Sequence, residues 1–179
     1  RTNSHYSILK STESTNEFHD MDKSCAIPNK LVNFIDIFSQ YILALFSSNF
    51  LYQFYTQLSD LCSFFYGIFE EQAPPLALQY LLRHWPETNS QKQSLFIIQI
   101  GCILQFINTK SWEKFAHSVI QKFSVGLKNE NFRVVVEIIN ILNNESYMAQ
   151  FAPFSKNLVD DILPHLLNLK SFWFSDIKN

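Results

Sequence analysis

The residues best able to do chemistry are few and dispersed. The five histidines are His5, His19, His84, His117 and His165. None stands four residues from another His or from a Cys, the spacing that would set two zinc ligands on one helix face. The three cysteines, Cys25, Cys62 and Cys102, are odd in number, widely spaced and form no C-x-x-C pair. That usage fits a reducing compartment with idle thiols, not a disulfide framework. Asp160 and Asp161 are adjacent, so a helix sends them to different sides, and Glu70-Glu71 reads as a loop edge before Pro74. No G-x-S-x-G nucleophile motif occurs. The 3 glycines, Gly67, Gly101 and Gly126, never cluster into a phosphate-cradling loop. Catalysis needs titratable groups that converge. The expectation is therefore a chain that is not an enzyme, with no metal and no cofactor.

Bulk composition narrows the class further. At 179 residues the chain can build one real core or a few stacked repeats. Its 47 % hydrophobic content and 18 Phe mark a folded chain, not a disordered one. A net charge of -2 gives no basic footprint, which argues against nucleic acid as a partner. The most apolar run, Leu95 to Leu104, is too short to cross a bilayer and contains Gln99, so no membrane partner is expected. The start of the chain is polar and unlike a signal peptide. These features predict a soluble intracellular protein, cytoplasmic and/or nuclear. The missing initiator Met suggests a fragment or a processed form.

The elements that must position any site are helices. Residues 1–25 are rich in Ser, Thr, Asn and Asp without apolar period, and read as a polar tail or linker, or as a partner-binding segment. From Pro28, Leu31, Phe34, Ile35, Phe38, Ile42 and Leu45 recur at helical spacing. A second helix carries Phe54, Leu58, Leu61 and Phe65 and ends near Gly67. Pro74 and Pro75 open a third, which Pro86 ends by disfavouring α geometry at Trp85. Ser90 and Gln93 match a capping box for a fourth helix, apolar nearly all round and so expected to be central. Ser111 can cap a fifth, with Trp112, Phe115, Ala116, Val119, Ile120, Phe123 and Leu127 on its stripe. Asn129 or Asn131 caps a sixth, with Phe132, Val135, Val136, Ile139 and Leu142. Asn143-Asn144 breaks it. A short segment to Phe151 and a last helix, about 156–169 and kinked by Pro164, close the chain.

The result is an all-α chain of about seven or eight helices, with a helix pair roughly every 40 residues. That period fits residues 26–179 as a HEAT-like α-solenoid of antiparallel helix pairs; a single globular bundle is the competing architecture. The Leu81–Gln93 corner is its most specific stretch. Trp85 either packs the corner, with His84 bonded to nearby backbone, or lies on a ridge that binds partners.

The stretch LLRHWPETNSQKQSLFIIQIGCIL, 81–104, resembles the B56 regulatory subunits of protein phosphatase 2A, which carry a Leu-Leu-Lys-Tyr-Trp-Pro-Lys-Thr-x-Ser-x-Lys pattern at such a corner. Leu81, Leu82, Trp85, Pro86, Thr88, Ser90 and Lys92 match. Phe132, Val134 and then LNNESYM are similar to a second patch of the family, Trp-Asn-Asn-Glu-Tyr-Ile-Met, at Asn143, Asn144, Glu145 and Met148. Ile162-Leu163-Pro164 matches a third. The three patches follow the family's order, and the chain looks like the C-terminal part of its longer solenoid. The resemblance implies a non-catalytic regulatory subunit that assembles with the phosphatase scaffold and catalytic subunits and targets substrate proteins. It also implies peptide-pocket positions near Ile37, Tyr41, Phe50 and Gln53, where Phe50 and Gln53 lack the charge that the family uses to hold acidic groups. The two marked corners supply the candidate partner-binding residues: Arg83, His84 and Glu87 at the first, Asn143, Asn144 and Glu145 at the second. The alternative is a helical-repeat interaction adaptor without phosphatase binding.

Overall fold

The structure, a computed structural model, describes residues 34–128 and 131–169. The polar tail, Pro28, Leu31, Asn129 and Trp173 lie outside the described residues. Helical residues 34–37 pass into a π-helical stretch, Phe38–Ile42, and then a 3₁₀ stretch, Leu43–Ser47, which together make a lead-in segment. Helices α1 (Leu51–Ile68), α2 (Ala73–Arg83), α3 (Ser90–Leu104), α4 (Thr109–Leu127) and α5 (Phe132–Leu142) follow. The described chain ends with α6 (Glu145–Phe151), a 3₁₀ turn (Ala152–Phe154), α7 (Ser155–Asp161) and α8 (Leu163–Asn168). All regular structure among the described residues is helical.

The helices stack in two layers. In one, α1 packs on α3 and α3 on α5; in the other, the lead-in segment packs on α2, α2 on α4, and α4 on α7. Each element touches its sequence neighbour across the layers and its next-but-one neighbour within its layer. That is the contact pattern of an α-solenoid of antiparallel helix pairs, as the period predicted. The central position expected of the apolar helix is where α3 lies: Phe96, Ile97, Ile100 and Ile103 are fully buried.

Several local expectations are corrected by geometry. The lead-in stripe was expected to run through Phe34, Ile42 and Leu45. Buried instead are Ile35, Phe38, Leu43 and Phe46, with Phe34 and Leu45 exposed. The π turn between Phe38 and Ile42 inserts one residue, so every later position of the stripe shifts by one. In α1, Leu61 is exposed and Cys62 is buried, so the buried stripe runs one residue later. In α5 the buried set is Val134, Val135, Ile138 and Ile141. There the seam is set by Gly126 of α4. A Cβ at that position would lie 2.6 Å from Ile138 Cδ1 and 3.3 Å from Val134 Cγ1, so the glycine lets two backbones approach. Pro164 ends one helix and opens another: α7 stops at Asp161, and Pro164 stands in the first turn of α8. A proline there loses no needed N–H, whereas mid-helix it would clash with the preceding turn.

Caps also differ. Asn89, not Ser90, caps α3, its Oδ1 accepting the Lys92 N–H at 3.0 Å. Asn108, not Ser111, caps α4, accepting the Ser111 N–H at 2.9 Å. Asn131 caps α5, and Asn144 caps α6. Asparagine reaches the second or third backbone N–H of a helix as well as serine does, and serine one residue later is merely inside the first turn.

Candidate functional site

Two corners carry the sequence-predicted residues, and each is built differently. At the first, α2 ends at Arg83, and Pro86 bars its continuation. Trp85 is 8 % exposed and meets Phe96 edge-on, ring centroids 6.1 Å apart. Lys122 of α4 places its ammonium 5.6 Å from the Trp85 ring and 2.7 Å from Glu87 Oε1. One lysine thus ties the loop to α4 by an ion pair and a cation–π contact. His84 stacks on Tyr80 at 4.0 Å, and its Nδ1 lies 3.0 Å from the Tyr80 carbonyl oxygen. A carbonyl only accepts, so Nδ1 carries the proton. Both the packing of Trp85 and the backbone bond of His84 follow the structural reading of this corner.

Gln93 replaces the expected capping box with a different tie. Its Nε2 donates to the carbonyls of Pro86 and Glu87, at 2.8 and 3.0 Å, fastening the loop to α3. Lys92 reaches the other way, its Nζ donating to the Ser47 carbonyl at 2.8 Å. Burial lowers the pKa of this ammonium. Arg83 remains exposed, in the last turn of α2, where a cation complements the helix dipole. With Ser39, Leu43, Leu76, Gln79, Tyr80 and His84 it lines a pocket of about 140 Å³.

At the second corner Asn144 Oδ1 accepts the N–H groups of Ser146 and Tyr147, at 3.0 and 3.4 Å. Glu145 sits in the first turn of α6, on the favourable side of the dipole. The helix it opens is pinned to the end of α3. Gln105 Nε2 donates to Tyr147 Oη at 2.9 Å, and Gln150 Nε2 donates to the Leu104 carbonyl at 2.6 Å. The Gln150 carbonyl in turn accepts from Trp112 Nε1 at 3.0 Å. Asn143, Asn144 and Glu145 are all solvent-facing, with Asn144 and Glu145 fully exposed.

The two corners do not meet. The first abuts the start of α3 and the second its end, and α3 has 15 residues, about 22 Å at 1.5 Å per residue. Arg83, His84 and Glu87 therefore share one edge of the stack, and Asn143, Asn144 and Glu145 the opposite edge. The pocket positions implied by resemblance are surface-exposed, Tyr41 on the lead-in segment and Phe50 and Gln53 around the start of α1, with Ile37 44 % exposed. Among the described residues, no three His, Cys, Asp or Glu come together as metal ligands, and no helix is long and apolar enough to cross a membrane.

Sequence reading missed a buried polar cluster between α1 and α3. Gln99 is fully buried; its Nε2 donates to Tyr66 Oη at 3.0 Å, and its Oε1 accepts from Tyr55 Oη at 3.3 Å. Burial holds both phenols well above their ordinary range, and pushes the Cys62 thiol up to about 12. The signal available was one amide inside an otherwise apolar run. These groups are buttressed and dry, so they hold α1 to α3 and are not reactive.

Comparison with known proteins agrees with the corner motifs. Residues 5–179 match the family described as protein phosphatase 2A regulatory B subunit (B56 family). The chain is 30 % identical over 115 residues to the kappa isoform of the rice 57 kDa B′ regulatory subunit of serine/threonine protein phosphatase 2A, covering 62 % of this chain and 22 % of the relative. Over 94 residues it is 27 % identical to the fission-yeast 56 kDa regulatory subunit delta 1 isoform, covering 52 % of this chain and 17 % of that protein. Regulatory subunit psrA of Dictyostelium discoideum is 27 % identical over 117 residues, 62 % of this chain and 19 % of psrA. The matched stretches thus span about a fifth of each curated relative's length.

Proposed function

The chain belongs to the B56 family of protein phosphatase 2A regulatory B subunits, and on that premise we propose that it is a non-catalytic regulatory subunit of this Ser/Thr phosphatase. The observation that carries the reading is the family match across residues 5–179, with the family's Trp-Pro and Asn-Asn motifs standing at two repeat corners of a two-layer helical stack. Such a stack offers extended edges made of loops, and it recognises partners by shape and polar contacts, not by chemistry. The phosphatase reaction then proceeds on the catalytic chain. This chain assembles with the scaffold and catalytic subunits and brings substrate proteins to them. It acts in the cytoplasm, the nucleus or both, without nucleic-acid or membrane partners.

The two corners divide the partner contacts in this proposal. Arg83, His84 and Glu87 offer charge along one edge; Asn143, Asn144 and Glu145 offer amide and carboxylate groups on the other. Within the first set Arg83 has no hydrogen-bond or ion-pair partner among the described residues, so it is the residue with most to give a partner. The test is co-purification of the chain with phosphatase scaffold and catalytic subunits at low salt. Binding is expected, and Arg83→Glu is expected to weaken it while the melting temperature holds. Failure to bind either subunit sinks the regulatory reading and leaves an interaction adaptor. Phosphopeptide hydrolysis by the chain alone would overturn the non-catalytic one.

A further inference from the structure

Thirteen large apolar side chains stand exposed among the described residues, and nine of them fall between Phe34 and Ile68. They are not scattered. Phe34, Ile37 and Tyr41 recur at i, i+3, i+7 along the lead-in segment, and Leu61, Phe64 and Ile68 repeat that spacing on α1. Phe64 is 64 % exposed and Tyr41 66 %. Each stripe lies away from the side of its element that packs on the next member of its layer, α2 or α3. Together they form an open apolar face at one end of the stack.

The charge around this face has one sign. From residue 34 to residue 82 the sequence holds Asp36, Asp60, Glu70 and Glu71 and no Lys or Arg. All four carboxylates are exposed, and none is in a salt bridge among the described residues. Asp36 adjoins Ile37, Asp60 adjoins Leu61, and Glu70-Glu71 follow shortly after Ile68. An apolar stripe rimmed by unpaired carboxylates selects its occupant. A second copy in a symmetric contact would set like-charged rims against each other. An anionic lipid surface would be repelled for the same reason.

We infer that this end face is a docking surface for an amphipathic helix of another polypeptide, one whose apolar stripe is flanked by Lys or Arg. The apolar anchors supply affinity by helix-in-groove packing, and the carboxylate rim supplies register and selectivity. The inference does not depend on which phosphatase subunits the chain meets.

The test uses the 179-residue chain and two fluorescent helical peptides of about 20 residues, the length that spans the face. They share one leucine stripe and differ only in flanking Lys or Glu. The lysine peptide is expected to bind at least ten-fold tighter, with the advantage shrinking as salt rises. Phe64→Lys, at an exposed position where folding is spared, is expected to cost ten-fold or more. Asp36→Lys with Asp60→Lys is expected to turn the preference toward the glutamate peptide. Equal binding of the two peptides overturns the charge argument. Concentration-dependent dimers abolished by Phe64→Lys assign the face to a second copy and overturn the proposal. Slow hydrogen exchange across 61–68 in the isolated monomer, unchanged by peptide, shows the face already covered by the chain itself and overturns it as well.

Discussion

Gln99→Leu tests whether the α1–α3 seam is held by polar bonds or by apolar contact alone. The side chain is fully buried and joins Tyr66 at 3.0 Å and Tyr55 at 3.3 Å. Leucine keeps most of the volume and removes both bonds. Each buried hydroxyl stripped of its partner costs about 1–3 kcal/mol. The cost falls at the lower end here, because the Tyr55 and Tyr66 hydroxyls also interact with Ser59 and Cys62. Burying a leucine in place of an amide returns part of it. The expected net loss is about 2 kcal/mol, or about 4–8 °C in melting temperature for a domain of this size. The assay is urea unfolding followed by far-UV circular dichroism, run on Gln99→Leu, Tyr66→Phe and the double variant. Tyr66→Phe removes the hydroxyl that Gln99→Leu orphans, so the double variant should lose about 1 kcal/mol less than the sum of the singles. A Gln99→Leu protein as stable as the parent, or strict additivity, would refute the reasoning.

High pH should open the same seam. The folded Cys62 pKa of about 12 lies above its ordinary 9.0, so its contribution to stability is whole below pH 9 and lost as pH rises toward 12. At about 1.4 kcal/mol per unit this one thiol removes up to about 4 kcal/mol, and Cys62→Ala should flatten the urea-midpoint-versus-pH curve over that window. Two glycines should respond oppositely to alanine. At Gly101 the new Cβ meets Ile141 at an ordinary 3.6 Å, so Gly101→Ala should stabilise by about 0.5–1 kcal/mol through helix propensity. Gly126→Ala must push Ile138 back from 2.6 Å, and thermal unfolding should place it about 2 kcal/mol below Gly101→Ala. Asn144→Ala removes the α6 cap and should cost about 1 kcal/mol, read as faster hydrogen exchange in 145–151.

The helical class and its pairing were legible because nearly every loop carries a breaker with a local cause. Pro74-Pro75, Trp85-Pro86 and Asn143-Asn144 each act within one turn of chain. Register was less legible where a nonlocal contact decides it. A π turn at Phe38–Ile42 leaves no period in the sequence, yet it moves the buried stripe from Ile42 and Leu45 to Leu43 and Phe46. Likewise Gly126 reads as an unfavourable residue near a helix end until Ile138 is brought against it. The ion pair of Glu87 with Lys122 spans 35 positions and had no local sign.

That contrast explains why the family was readable and the site was not. Residues that mark the family are those that hold the corners. Leu81 is fully buried, Trp85 packs on Phe96, Lys92 fastens the Ser47 turn, and Asn144 caps α6. Each does its work through short-range geometry, so each leaves a compact motif in the chain. Partner recognition by a stack is different in kind. It draws on exposed residues from successive turns, spaced by about one repeat in sequence, and their common property is a shared edge. The split of Arg83, His84 and Glu87 from Asn143, Asn144 and Glu145 by the length of α3 follows from this. Both triplets neighbour family motifs, yet an antiparallel pair necessarily sends consecutive loops to alternate edges. The α2–α3 and α5–α6 loops are separated by three helices, an odd number, so they must lie on opposite edges whatever the residues are. A binding surface on this protein is therefore to be sought among loops an even number of helices apart, such as the Trp85 corner and the turn before α1, which Lys92 already joins.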